Sequence, residues 1–327
     1  MTRIIQIILF ATIVCTSCAN AGVITGYRPY CAECSVKGSD ETKIALRRFI
    51  KNGGDYCLLV NPVTLRTSLH RTDVLKCAEN STDGIRLKYK NTNYIRALED
   101  SGASARKLQN AGFTHFHRKE KGVNLTVDLC PSDSPLDRIL FTKIIDGFGN
   151  TQSPVPIGLS VTGVWMENHQ PDITWLRDLE KRNIISVTWI NHSYNHWSSR
   201  KLPLRHNFLL RKGTVIDFEV LATEKKMLEL GIMPSIFFRF PGLVSNYRLV
   251  DAITGFGLIP IGSDAWLGKK QWPRKGSIVL VHANGHEPVG ILRFVRLMMS
   301  QKENIINKNW LLHDLRDSVV DYESRRN

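Results

Sequence analysis

From residue 123 onward, short apolar runs of β-forming residues alternate with amphipathic stretches. That alternation restricts the fold more than any other feature of the chain. Residues 123–129, 156–164, 184–189, 235–240, 258–261 and 277–281 read as strands. Residues 173–183, 218–230, 247–254 and 290–300 read as helices, two of them closed by Gly231 and Gly255. Repeated strand–helix units build a mostly parallel sheet or barrel, whose site forms at the C-terminal ends of the strands. The residues that follow each strand are therefore the ones to read for chemistry.

The remainder of the chain differs in texture. Arg3, an apolar run from Ile4 to Cys15 and the small residues ending Ala19-Asn20-Ala21 read as a secretory leader covering residues 1–21. Lipoprotein processing before Cys18 is a lesser alternative. No run reaches the roughly eighteen apolar residues of a membrane-spanning helix. The chain is thus expected to be exported, to the periplasm or the medium. Residues 22–122 form a cysteine-containing extension or small domain, and 123–327 the second domain. In the extension, 40–51 and 94–111 read as helices and 56–60 as a strand. Past the leader the cysteines are Cys31, Cys34, Cys57, Cys77 and Cys130. In an oxidising compartment they are disulfide candidates, and structural bridging is preferred over a redox pair at Cys31 and Cys34. The 44 Lys and Arg against 30 Asp and Glu give a net charge of +14. Export turns that charge away from nucleic acid and toward an acidic envelope polymer.

Five strand ends carry reactive side chains. The first ends in Asp128-Leu129-Cys130-Pro131, and the third in Asn191-His192-Ser193-Tyr194-Asn195-His196. The next end in Arg239-Phe240-Pro241-Gly242, Asp264-Ala265-Trp266 and Leu280-Val281-His282. His192 and His196, spaced i and i+4, would project from one face of a helical turn and could grip one divalent ion. Taken singly, each residue has an ordinary explanation: a turn aspartate, a salt-bridging arginine, a core histidine. Their joint occurrence at successive strand ends points to a site.

In these motifs the chain resembles the polysaccharide deacetylases, the NodB homology group or carbohydrate esterase family 4. Their Thr-Phe-Asp-Asp-Gly-Pro stands here as Thr126-Val127-Asp128-Leu129-Cys130-Pro131. Their His-Ser/Thr-x-x-His is met by 192–196, their Arg-x-Pro-Gly by 239–242 and their Leu-x-His by 280–282. Asp264 and Trp266 match the Asp shortly before a Trp. The resemblance covers roughly residues 123–300. It implies a distorted, incomplete (β/α) barrel and metal-assisted removal of acetyl groups from N-acetylated sugars of a polysaccharide such as peptidoglycan or a chitin-like polymer. It implies that His192 and His196 hold a divalent ion, zinc being the expected one. Asp128 would be the general base, oriented by Arg239. His282 would protonate the leaving amine, with its ring oriented by Asp264. Trp266 would wall the acetate pocket, and Asn195, Pro241 and Gly242 would line the cleft.

One departure is informative. The family's second Asp, a metal ligand, is Leu129 here. Asp128 could itself complete the ligand set, Asp133 could reach back across the loop, or the ion could be lost. A domain without the ion would be a glycan-binding protein, and an O-acetyl esterase is a further alternative on the same fold. Cys130 reads as a disulfide partner or small buried residue in preference to a nucleophile.

Overall fold

The computed structural model describes residues 22–103, 107–117 and 121–325. The expected leader, with Ala21 and Cys18, lies outside these residues. The N-terminal part contains β1 (Ile24–Val36), β2 (Thr42–Lys51), β3 (Gly54–Val60), β4 (Thr67–Arg71) and β5 (Leu75–Glu79), then helices α1 (Thr82–Lys88) and α2 (Asn93–Ala103). After it come β6 (Gly122–Leu129), α3 (Arg138–Phe148), β7 (Val155–Val161), α4 (Gly163–Asn168), α5 (Gln170–Lys181), β8 (Ile185–Asn191), α6 (Ile216–Glu229), β9 (Phe237–Phe238) and α7 (Tyr247–Gly255). The chain continues through β10 (Ile259–Pro260), β11 (Ala265–Trp266), β12 (Ile278–His282), α8 (Pro288–Ser300), α9 (Lys302–Ile306), β13 (Leu311–Leu312) and α10 (Leu315–Ser324).

The second part is the expected parallel architecture. The strands run β10-β9-β8-β7-β6-β12-β11, with β13 added beside β6, and every ladder is parallel. Edge strands β10 and β11 do not pair with each other among the described residues, so the barrel is incomplete. Residues 107–117 run along this open side, where Phe113 bridges Ile261 and His115 bridges Ser277. The expected helix over 94–111 is therefore corrected: α2 is described over Asn93–Ala103, and residues 107–111 are not helical.

Alternation along β6 sorts its side chains. Val123, Leu125, Val127 and Leu129 pack in one apolar cluster with Phe141 of α3, Trp165 of α4, Leu176 of α5 and Phe294 of α8. Fully buried side chains of this size each contribute about 1.5–3 kcal/mol. With a period of two, Asp128 faces the opposite side of the sheet, toward the barrel interior. Leu129 is a core residue of the helix layer, and Cys130 is the next residue to return to the side of Asp128.

The N-terminal strands form an antiparallel sheet in the order β4-β3-β2-β1-β5. The helix expected over 40–51 is a strand instead. Ile44 and Leu46 join one cluster, while Ala45 joins another with Cys34, Cys57 and Leu59. A strand buried on both faces loses the period-two signal and can pass for a helix. Cys34 and Cys77 lie opposite each other on β1 and β5 and form a disulfide, while Cys31, Cys57 and Cys130 are free among the described residues. Cys34 is thus committed to Cys77, which rules out a Cys31–Cys34 pair. The sheet docks on α6 through a buried ion pair: Arg47 donates to Glu224 through Nε at 2.7 Å and Nη2 at 2.9 Å. Tyr27 donates to the same carboxylate at 2.9 Å.

Candidate active site

Strand register assembles the site. In the parallel ladder His282 of β12 stands beside Asp128 of β6. The Arg239 amide donates to the Asn191 carbonyl at 2.9 Å, which brings the end of β9 beside the end of β8. A cleft of about 570 Å³ opens over these ends, lined among others by Asp128, Cys130, His192, His196, Trp266 and His282.

Arg239 is fully buried and holds Asp128 in place. Its Nη1 donates to Asp128 Oδ1 at 2.8 Å and to Thr126 Oγ1 at 2.7 Å, and Nη2 donates to the Gly262 carbonyl at 2.9 Å. Burial alone would raise the Asp128 carboxyl. The Arg239 guanidinium, with His192 and His282, outweighs it and holds the group below the ordinary carboxylate range.

His192 is buried, and its Nδ1 donates to the Arg239 carbonyl at 2.8 Å. That bond fixes the neutral tautomer and leaves the Nε2 lone pair free. Nε2 lies 3.6 Å from Cys130 Sγ and 3.7 Å from Asp128 Oδ2. Donor atoms of Cys130, His192 and His196 all lie within 4.8 Å of one another. This set does not include Asp128. Asp133 is exposed and is not among the lining residues. Burial lowers both histidines' affinity for a proton, that of His196 well below the usual range, so both present neutral rings. Burial, followed by the Asp128 and Glu287 carboxylates, pushes the Cys130 thiol well up in the absence of a cation. Two imidazoles and a thiol are a donor set that suits zinc, which binds the thiolate and displaces its proton.

The two histidines do not share a helical turn, as their spacing suggests. Residues 192–196 form an irregular loop with left-handed backbone at Ser193 (φ 68°) and His196 (φ 47°), and the rings still meet with centroids 4.9 Å apart. The loop is closed by Glu219 of α6. Its carboxylate accepts from the Tyr194 amide at 2.8 Å, the Asn195 amide at 2.9 Å and Asn195 Nδ2 at 2.9 Å. The Asn195 side chain is thus committed to the loop even though the residue lines the cleft. Gly242 (φ 61°) also lines it, and a Cβ there would fall 2.4 Å from the Phe208 ring. Phe208 in turn packs edge-on against His196. Pro241 is buried behind the cleft wall rather than lining it.

Asp264 does not face His282. Its Oδ2 pairs with His115 Nδ1 at 2.9 Å and lies 3.6 Å from Arg274, outside the cleft. The carboxylate on His282 is Glu287, whose Oε2 is 3.1 Å from His282 Nδ1 and accepts from Trp266 Nε1 at 2.6 Å. Burial raises the Glu287 carboxyl, but bonds from His282 and Trp266 bring it below its usual range. Trp266 thus walls the cleft with its indole anchored on the same carboxylate. Sequence reasoning missed Glu287. A signal was present in Pro288, which marks a helix start that brings the preceding residue back to the strand end.

No helix among the described residues is long and apolar enough to cross a membrane. The model of the RP012 protein N-terminal domain matches residues 35–95. Among solved structures the chain is similar to a family 4 carbohydrate esterase from Bacillus anthracis, at 18% identity over 70% of this chain and 92% of that one, with a TM-score of 0.46. It is similar to the family 4 carbohydrate esterase PdaA of Bacillus subtilis, at 15% identity over 68% and 95% of the two chains, TM-score 0.46. It is also similar to BA3943, a family 4 pseudoenzyme from Bacillus anthracis, at 14% identity over 65% and 70%, TM-score 0.44.

Proposed function

We propose that the protein is an exported, metal-dependent hydrolase that removes acetyl groups from N-acetylated sugars of an envelope polysaccharide. The observation that carries this reading is the meeting in one cleft of a Cys130–His192–His196 donor set, a buried Asp128–Arg239 pair and a His282–Glu287 pair. Cys130, His192 and His196 would hold the ion. When bound, a divalent ion supplies Lewis acidity toward the acetyl carbonyl and acidifies a water.

The chain's own residues divide the remaining work. Asp128, ionised and held by Arg239 through Oδ1, takes a proton from the attacking water through Oδ2. Its duty as base is therefore separate from ion binding, which Cys130 completes in place of the family's second Asp. His282 donates its Nδ1 proton to the Glu287 carboxylate and so keeps Nε2 to carry a proton to the departing amine. As the carbon–nitrogen bond breaks, water supplies oxygen to the acetate and the nitrogen leaves as a neutral amine. Positioned acids and bases of this kind each contribute roughly 10²–10⁴-fold.

The test uses the chain from residue 22, stripped of metal. Zinc should bind one-to-one, and binding should be lost in the His192→Ala, His196→Ala double variant and weakened in Cys130→Ser. Zinc should restore acetate release from N-acetylglucosamine oligosaccharides, and chelator should abolish it. Tight zinc binding without release from N-acetylated glycans, but with release from O-acetylated ones, would turn the reading to an esterase. Chelator-indifferent glycan binding with no release would turn it to a binding protein.

A further inference from the structure

We propose that the cleft takes an acidic glycan, and that Arg200 and the basic loop around it form the subsite for the acid group, a carboxylate or a phosphate ester. The identity of the ligand as a sugar chain rests on the reading above; the subsite itself rests on separate observations.

The loop spans residues 197–214, between the His192–His196 loop and α6. No Asp or Glu occurs from 181 to 216, whereas Arg200, Lys201, Arg205, Arg211 and Lys212 all fall there. All five are exposed, and none pairs with a carboxylate among the described residues. A charged face usually carries both signs, which screen each other. This loop carries a single sign, and Arg200 in it lines the cleft with the candidate catalytic groups.

The loop is ordered by its own bonds. Asn207, nearly buried, accepts from the Ser199 amide at 3.0 Å and the Phe208 amide at 2.9 Å, and donates to the Ser199 carbonyl at 2.5 Å. Phe208 seats the loop on Gly242 and His196. Arg200 and Ser198 thereby line the cleft with Asp128, His192 and His282. Arg211 lies 4.2 Å from the centroid of the Trp197 ring, which holds its guanidinium against the start of the same loop. Beside Trp266, which also lines the cleft, Lys269 sits 3.5 Å from the ring centroid.

The acids that line the cleft have partners outside the 197–214 loop, Glu287 feeling the charge of Lys269 as well. Asp128 is held by Arg239, and Glu287 by His282 and Trp266. Arg200 is the cleft-lining cation left for an external anion. Its planar fork suits a carboxylate or a phosphate.

The test compares matched probes by calorimetry on the zinc-loaded chain from residue 22. One pair is a short oligosaccharide of alternating N-acetylglucosamine and glucuronic acid and its carboxyl methyl ester. The other is a 6-phosphorylated N-acetylglucosamine oligosaccharide and its unphosphorylated parent. At least one acidic probe should bind roughly tenfold tighter than its neutral match, about 1.4 kcal/mol, and which pair shows the gap identifies the acid. The gap should shrink as salt screens exposed charge. Arg200→Gln combined with Lys201→Gln and Arg205→Gln should remove most of it while leaving binding of the neutral match unchanged. Equal binding of acidic and neutral probes in the unsubstituted chain, or a gap that survives the triple variant, would overturn the proposal. Acetate release is followed on the same probes. Acid preference without release keeps the subsite and removes the deacetylase reading; release without acid preference does the reverse.

Discussion

Replacing Glu219 should loosen the candidate metal centre without unfolding the protein. The loop it closes holds Ser193 and His196 in left-handed backbone, which costs about 1–3 kcal/mol for each such residue. Against this, the Glu219 carboxylate accepts three bonds, each worth about 1.5–3 kcal/mol because the acceptor is charged. The three bonds together exceed the cost of the two strained residues, so the loop conformation depends on the carboxylate. In Glu219→Ala the Tyr194 and Asn195 amides lose their acceptor, and the cheapest response is for the loop to relax and turn outward to water. His196 would then leave its position 4.9 Å from the ring of His192. Second-sphere residues of this kind typically carry 10–100-fold in metal affinity, and that loss of zinc affinity is expected here. Glu219→Gln keeps one acceptor oxygen and should fall between the two. Asn195→Ala removes a single bond and should cost less than either. Zinc affinity would be read by competition with a chromophoric chelator, beside the melting temperature of the metal-free protein. Zinc affinity in Glu219→Ala within threefold of the unsubstituted chain, with the metal-free protein folded, would refute this reasoning.

Two shorter predictions concern carboxylates. Glu287→Gln should lower turnover by about 100-fold, in the range of a lost proton-transfer partner, while Asp264→Asn should leave it within a few-fold; the reverse ranking would return the orienting role to Asp264. Asp314 caps α10 and pairs with Arg316. Burial raises its carboxyl, but the bonds and charge of Arg316 win and hold it below the ordinary range. A carboxyl depressed in the fold gives stability that is full above its unfolded value near 4 and is lost as pH falls through the folded value. Asp314→Asn should therefore lower the melting temperature at pH 7 and narrow the gap to the unsubstituted protein as pH drops below about 4; a gap constant down to pH 2 would contradict it.

Much of the parallel sheet was legible because its strands are short runs rich in β-branched residues, set between amphipathic helices and bounded by turn residues. The strand-end residues were legible for the same reason, since parallel topology brings such ends together. What sequence could not supply is the direction of a side chain one residue past a strand. Leu129 and Cys130 are adjacent, yet one closes the helix-layer core and the other faces His192. Period-two alternation from Asp128 contains that answer, but only once the register of β6 is known. Asp264 was misassigned because spacing to Trp266 says nothing of which way the aspartate turns. His115, its partner, comes from a segment 149 positions away in the chain. β2 was misread because each of its faces packs into a different cluster, a tertiary fact with no local signature.

Helix α6 joins the two halves of the chain through its own carboxylates. Glu219 faces the histidine loop, and Glu224, a turn and a half further along, faces Arg47 and Tyr27 of the antiparallel sheet. Glu224 is almost wholly buried, with 1% of its side chain exposed. Breaking a buried pair by removing one partner costs about 3–5 kcal/mol, because the remaining charge is stranded. Residues 121–327 expressed alone would strand Glu224 and would also expose the part of the apolar cluster where Ile44, Leu46 and Tyr94 meet Ile236, Phe237 and Ile259. Typical domains hold only about 5–15 kcal/mol in all. The fragment should therefore aggregate or fail to give a cooperative melt, although every strand-end residue of the site lies within it. Glu224→Gln in the fragment relieves the stranded charge but not the exposed surface, so it should recover only part of the loss. A fragment that melts cooperatively within a few degrees of the whole chain would mean that the antiparallel sheet is an independent unit and that its buried ion pair contributes nothing to holding α6 in place.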